Sequence, residues 1–79
     1  MASRLMQLVI ESPDLGEPFG PAAVAEETNR RFASRLRNPV GPRAASDVLR
    51  RMVAAGEIEL VREGKAFHEA MYRRKARRR

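Results

Sequence analysis

Hydrophobic residues at helical spacing predict a first helix near the start of the chain. Leu5, Leu8 and Val9 fall on one helix face, and neighbouring apolar residues widen the stripe. Ser3 is a residue type that caps helix N-termini, whereas Pro13 removes a backbone donor that a longer helix would need. The pattern therefore predicts a helix that Ser3 caps and that ends before Pro13.

A second helix is predicted after a loop rich in proline and glycine. Residues 13–20 hold two prolines and two glycines, which are typical of a loop, and Pro21 suits the first position of a helix. From Val24 onwards, apolar and small residues recur every four positions, which is the spacing of a helix face. The periodicity leaves the end of this helix open, anywhere from Thr28 to Arg37.

The third helix gives the clearest periodic signal. Residues 38–42 contain two prolines and a glycine, so they interrupt the chain before it. Gly56 suits the left-handed position that ends many helices, and residues 57–60 then alternate polar and apolar as a half-buried strand does. The apolar stripe of the helix has i, i+1, i+4, i+5 spacing and consists of Val48, Leu49, Met52 and Val53.

A β-hairpin is predicted at the end of the domain, although one segment has two interpretations. Glu63-Gly64-Lys65 provides a glycine-containing turn between a strand at 57–62 and a returning strand at 66–72. Residues 66–72 are also rich in helix formers, and Phe67 and Met71 have the i, i+4 spacing of a helix face. The pattern favours the strand and keeps a terminal helix as the alternative.

Length and composition limit the chemistry that we expect. A chain of 79 residues has room for one small core, and without cysteine it has neither disulfides nor thiolate metal sites. His68 is the only histidine, and no glycine spacing forms a phosphate-binding loop. The apolar run at residues 5–10 is too short for a signal peptide or a membrane span. We therefore expect a cytoplasmic, non-enzymatic protein without a cofactor, metal or catalytic residues.

Charge is distributed unevenly along the chain. The net charge is +6, but residues 1–29 hold one base and five acids, whereas residues 30–79 hold fifteen bases and five acids. A polyanion is therefore expected to dock on the second part. Six of the seven residues at 73–79 are basic. We expect one domain at 1–72, followed by a disordered basic tail at 73–79.

Two segments of the sequence resemble a known family. Residues 48–61, Val-Leu-Arg-Arg-Met-Val-Ala-Ala-Gly-Glu-Ile-Glu-Leu-Val, look like a recognition helix that runs into a first wing strand. Residues 19–25, Phe-Gly-Pro-Ala-Ala-Val-Ala, are similar to the entry into a second helix. With the predicted element order, residues 3–72 resemble the winged helix-turn-helix family, except that residues 29–42 replace its usual short turn. The resemblance implies an α+β, mainly helical fold of three helices followed by a β-hairpin wing.

The resemblance also implies a set of nucleic-acid contacts. In this family the third helix enters the major groove, while the wing reaches a neighbouring backbone or minor groove. Arginine can donate two parallel hydrogen bonds to guanine or contact phosphate, and serine can reach base or backbone. The candidate contacts on the third helix are Arg43, Ser46, Asp47, Arg50 and Arg51, the last of which could instead face a carboxylate within the protein. Those on the wing and tail are Arg62, Lys65, Arg73, Arg74 and Lys75.

The sequence is compatible with several functions. The first is a protein that binds double-stranded DNA, as a transcriptional or mobile-element regulator. The second is an RNA- or ribosome-associated winged helix, because basic residues bind either nucleic acid. The third is a protein–protein adaptor that docks through the acidic first third of the chain. Winged folds serve all of these purposes, and the apolar residues of the first helix leave a homodimer open as well.

Overall fold

The computed structural model describes residues 2–75, which form three α-helices and a two-stranded antiparallel sheet. This order confirms the predicted α+β, mainly helical layout of three helices followed by a hairpin. The elements are α1 (Ala2–Glu11), α2 (Pro21–Arg31), α3 (Pro42–Ala54), β1 (Ile58–Arg62) and β2 (Met71–Arg74), with a 3₁₀ turn at Ala33–Arg35.

One hydrophobic core lies between the helices and the hairpin. The buried stripe of α3 contains three of the four predicted residues, with Ala45 added and Val53 half-buried. In α1 the prediction was wrong about Leu8, which is exposed. The buried face of this helix consists of Leu5, Met6, Val9 and Ile10. Each buried aliphatic side chain contributes about 1.5–3 kcal/mol. The largest fully buried apolar side chains are Phe19, Leu5, Met6, Ile10, Leu49, Ile58, Val9 and Val24.

The starts of the helices depend on local backbone chemistry. Both α2 and α3 begin with Gly-Pro, in which an extended glycine precedes a proline whose fixed φ suits the first helical turn. Pro21 therefore has the predicted role, whereas Pro42 opens α3 rather than belonging to the interruption before it. Ser3 does not cap α1, because the helix already includes Ala2.

The connection between α2 and α3 is ordered by a side-chain clamp. The Asn29 side chain donates to the Val40 carbonyl at 2.9 Å and accepts from the Val40 N–H at 2.8 Å. These two bonds reproduce the pairing of neighbouring strands, and Val40 packs against the core. The helix itself ends at Arg31, and Phe32 caps it with a backbone bond to the Thr28 carbonyl. The two bonds thus hold the beginning and the end of the long 29–42 segment close together.

The hairpin is confirmed, but its strands differ from the prediction. Gly56 has φ +79°, the predicted left-handed position at which α3 gives way to β1. The prediction of a three-residue turn and a strand over 66–72 was wrong, because the connection extends to Ala70. A tight turn within it is closed by Lys65 and His68. The register pairs Leu60 with Tyr72 and shifts just beyond this pair. The alternative of a terminal helix is also wrong.

The hairpin is joined to the helical part through β2. Phe19, in the loop before α2, donates to the Tyr72 carbonyl at 2.9 Å and accepts from the Tyr72 N–H at 2.8 Å. Strand β2 continues to Arg74, so the predicted domain boundary after Tyr72 falls two residues too early. Residues 76–79 of the predicted tail lie outside the described residues.

Candidate nucleic-acid interface

The face of α3 that is directed away from the core carries the first group of predicted contacts. With about 3.6 residues per turn, positions i, i+4, i+7 and i+11 form one stripe. We call the residues at these positions the outward stripe, and all of them are exposed, whereas the opposite face is buried. Its members are Arg43, Asp47, Arg50 and Ala54.

The two arginines of the outward stripe differ in their contacts. Arg50 forms an exposed ion pair with Asp47, one turn earlier on the same helix. Arg43 has no ion pair among residues 2–75. No side chain caps the N-terminus of α3, so its first N–H groups and the positive end of the helix dipole face solvent beside Arg43. This end of α3 is therefore positively polarised and open.

The residues beside the outward stripe are directed to different neighbours. Ser46 is half-buried on the side that also carries Val53. On the other side, Arg51 donates to the Ser3 hydroxyl at 3.2 Å and to the Asp47 carbonyl at 3.5 Å. Arg51 thus connects α3 to α1. The predicted alternative of an internal carboxylate partner is wrong, because the partners of Arg51 are a hydroxyl and a backbone carbonyl.

The hairpin of β1, β2 and the connection between them, which we call the wing, lies next to the outward stripe. A groove of about 560 Å³ separates the C-terminal half of α3 from the hairpin and has Arg50 on one side and Gly64 on the other. Arg62 donates to the Glu69 carbonyl at 3.2 Å across the hairpin, and Lys65 is exposed at the tip. Both predicted wing contacts are therefore exposed on the hairpin, and Arg62 is engaged with its own hairpin backbone.

The alternation of β2 separates Arg74 from the predicted contacts on either side of it, Arg73 and Lys75. Arg73 points outward and forms an exposed cross-strand pair with Glu59. Lys75 is exposed beside Glu57, at the base of the hairpin and far along it from the tip residue Lys65. Arg74 points into the protein, with only 24% of its side chain exposed. The structure thus does not gather these three residues on one surface.

Arg74 is a structural residue, which corrects its predicted role. Its guanidinium donates to the Ile10 carbonyl at 2.7 Å, the Leu15 carbonyl at 2.9 Å and the Ser12 carbonyl. It also donates to the Glu17 carboxylate at 2.7 Å and lies 5.1 Å from the centre of the Phe19 ring. These contacts satisfy carbonyl groups in the last turn of α1 and in the loop after it, where the Ser12 carbonyl also accepts from the Leu15 N–H. We call this group the arginine clasp: Arg74, Glu17 and the carbonyls of Ile10, Ser12 and Leu15.

Two carboxylates in the first third of the chain are held in their charged form by arginines. Hydrogen bonds from the backbone and side chain of Arg74 lower the pKa of Glu17, against a smaller opposing effect of burial. Hydrogen bonds from Arg30 and Arg31 lower the pKa of Glu27. The charge separation seen along the sequence is therefore partly cancelled in space.

Two residues of the hairpin have surroundings that the sequence did not predict. Glu69 accepts a hydrogen bond from the Ala22 N–H at 3.2 Å, so its carboxylate stabilises the positive N-terminus of α2. A contact over 47 positions leaves no local pattern in the sequence. Phe67 is almost fully exposed at the wing tip. Its i, i+4 spacing with Met71 had suggested a helix face instead.

Comparisons with known proteins do not add a family to this description. No protein-family model matches the chain, and neither a curated protein nor a solved structure matches it. Within residues 2–75, no helix is long and apolar enough to cross a bilayer. The same part of the chain contains no cluster of three or more histidine or acidic side chains placed to hold a metal ion.

Proposed function

We propose that this protein is a small DNA-binding protein of the winged-helix type, acting in the cytoplasm as a transcriptional or mobile-element regulator and not as an enzyme. In this proposal the outward stripe of α3 enters the major groove, and the wing contacts the neighbouring backbone. The observation that carries it is the exposed outward stripe of α3, with Arg43 and Arg50, next to the groove that separates α3 from the hairpin.

The contacts proposed for α3 follow from the side-chain chemistry of the outward stripe. Arg43 is free to donate two parallel hydrogen bonds to a guanine edge or a phosphate. The N–H groups at the start of α3 favour a phosphate nearby. Arg50 is paired with Asp47, and an exposed pair of this kind is worth only about 0–1 kcal/mol, so a phosphate can replace the carboxylate at low cost.

The adaptor hypothesis has less support, because the acidic residues on which it depends are partly used inside the protein. Glu17 belongs to the arginine clasp, and Glu27 pairs with Arg30 and Arg31. Asp14 lies 3.6 Å from Arg31. The remaining acidic surface of the first third is therefore smaller than the sequence suggests. RNA remains the alternative nucleic-acid partner, because an exposed basic face attracts either polyanion.

The test is a salt titration of binding to a labelled random-sequence DNA duplex and to a folded RNA of the same charge. We would compare the intact chain with Arg43→Ala/Arg50→Ala and with Arg4→Ala/Arg30→Ala, which has the same net charge but leaves the outward stripe intact. A chain that ends at Lys75 tests the basic end without removing the arginine clasp.

The expected result is that the outward-stripe variant lowers the slope of log affinity against log salt by about 2 for DNA, whereas the control variant changes it little. Equal losses in the two variants would show that net charge, and not the outward stripe, binds the duplex. Tighter binding of folded RNA than of any duplex would favour the RNA alternative.

A further inference from the structure

The tip of the wing presents an aromatic side chain that the fold does not use. Phe67 is 94% exposed and lies in the tight turn that Lys65 and His68 close. The Lys65 N–H donates to the His68 carbonyl at 2.7 Å, and the His68 N–H donates back at 3.1 Å. These two bonds hold the turn, so Phe67 projects from an ordered backbone. Its ring contributes almost nothing to the core, which leaves it available to a partner.

The surroundings of Phe67 match a nucleic-acid strand better than an apolar partner. Lys65 and His68 are exposed on either side of it. The carboxylate of Glu69 is directed away to the N-terminus of α2, where it accepts a hydrogen bond from Ala22. Glu63 is the acidic residue left beside the basic side chains at the tip. An aromatic ring with a cationic lysine beside it suits a base with an adjoining phosphate.

We propose that Phe67 binds a nucleobase by stacking its ring on the face of the base. This inference rests on the proposed nucleic-acid function and identifies the ligand of the wing tip. The groove between Arg50 and Gly64 places the hairpin beside the outward stripe, so a strand held by α3 is within reach of the wing. The base is presented either at a flexible step of a duplex, where an apolar side chain can wedge in, or in an unpaired segment.

The chain offers a clean optical test, because it contains no tryptophan. Phe67→Trp in the intact chain introduces a single indole at the tip, and stacking on a base quenches its fluorescence. Val61→Trp is the matched control, since Val61 is also exposed on the hairpin but lies on β1, outside the tip. The probes are a duplex with central TA steps, a duplex without them, a single-stranded oligonucleotide and anionic phospholipid vesicles.

The expected result is strong quenching of the indole at position 67 by nucleic acid and little quenching at position 61. Quenching by the TA duplex assigns the base to a deformable step, whereas quenching only by the single strand assigns it to an unpaired base. Phe67→Ala is expected to weaken binding by roughly 5- to 150-fold without changing the salt slope, because no charge is removed. Lys65→Ala is expected to lower the slope by about 1.

Three results would overturn the inference, and each has a different consequence for the proposed function. If the intact chain binds nucleic acid with a salt-dependent affinity that Phe67→Ala leaves unchanged, the stacking role falls while the proposed function stands. If the intact chain binds no nucleic acid, both fall. If vesicles shift the emission of the position-67 indole to the blue and nucleic acid does not quench it, the tip is a lipid anchor. Unchanged thermal unfolding of Phe67→Ala confirms that each result concerns binding.

Discussion

The outward stripe and the arginine clasp both contain arginine, but the arginine side chains have opposite roles in the two places. In the clasp, the Arg74 guanidinium has four oxygen acceptors, three of which are backbone carbonyls that lack helical partners. In the outward stripe, Arg43 has no ion pair within residues 2–75, and Arg50 has one exposed carboxylate. An arginine that satisfies fixed backbone groups stabilises the fold, whereas an arginine facing solvent is available to a ligand.

The difference shows that the number of basic residues overstates the surface available to a polyanion. Arg31 and Arg74 are directed to acids and carbonyls of the first third of the chain. Some basic residues therefore form ion pairs with acids of the same protein, and only the others are left exposed without such a pair. Among residues 2–75, the outward stripe and the wing are two places where basic side chains stay exposed to a ligand.

The largest expected effect is the loss of the arginine clasp. Arg74→Met keeps an apolar stem but leaves three carbonyls without their charged donor, and we expect it to destabilise the protein by about 3 kcal/mol. Urea unfolding followed by circular dichroism measures this change. The neighbouring Arg73→Met is the control, because it removes only an exposed cross-strand pair and should cost less than about 1 kcal/mol. A loss in Arg74→Met as small as the one expected for Arg73→Met would mean that Arg74 has no structural role.

The contrast between Arg73 and Arg74 also marks the limit of what the sequence predicts. Helix periodicity, Gly-Pro starts and Gly56 are local signals, so the three helices and the start of the hairpin could be predicted. The direction of a side chain in β2 depends on the strand register, which the irregular connection before Met71 determines. Two adjacent arginines in a basic run are alike in sequence. Only the register shows that one of them, Arg74, points into the protein.

The candidate site shows the same limit. Arg43 and Arg50 could be assigned to an exposed face from the α3 stripe alone, because helical spacing fixes which residues point outward. Partners distant in sequence, such as Glu69 with Ala22 or Arg51 with Ser3, could not be predicted. They depend on how the elements pack.

A smaller effect is expected at the contact between the wing and α2. A methyl group on Gly20 would lie 2.6 Å from the Glu69 carboxyl carbon, so Gly20→Ala displaces this carboxylate from the N-terminus of α2. We expect a loss of about 1 kcal/mol, as for other lost helix caps. The double variant with Glu69→Ala tests the cause by denaturant unfolding: if the carboxylate is the target, the two losses should not add. Additive losses would refute this contact.

In the outward stripe, removal of an acid should favour binding rather than reduce stability. Asp47→Asn releases Arg50 from its pair, and we expect DNA affinity at low salt to rise by about 1.5- to 5-fold, the range that an exposed pair is worth. Filter binding to the random-sequence duplex measures the change. Glu26→Gln, which removes an exposed acid from α2, is the charge-matched control. A loss of affinity in Asp47→Asn would instead assign Asp47 a direct contact with a base.

The smallest expected effect is the acid sensitivity of the clasp. Because Arg74 holds the pKa of Glu17 below its ordinary value of 4.5, the charged form is favoured by folding. This contribution is complete above pH 4.5 and is lost as the pH falls through the lower pKa of the folded protein. Glu17→Gln should therefore flatten the fall in the free energy of unfolding between neutral pH and the acid limb, as measured by urea titrations. If Glu17→Gln and Glu26→Gln follow the same pH profile, the stability of the clasp comes from the carbonyl bonds of Arg74 alone.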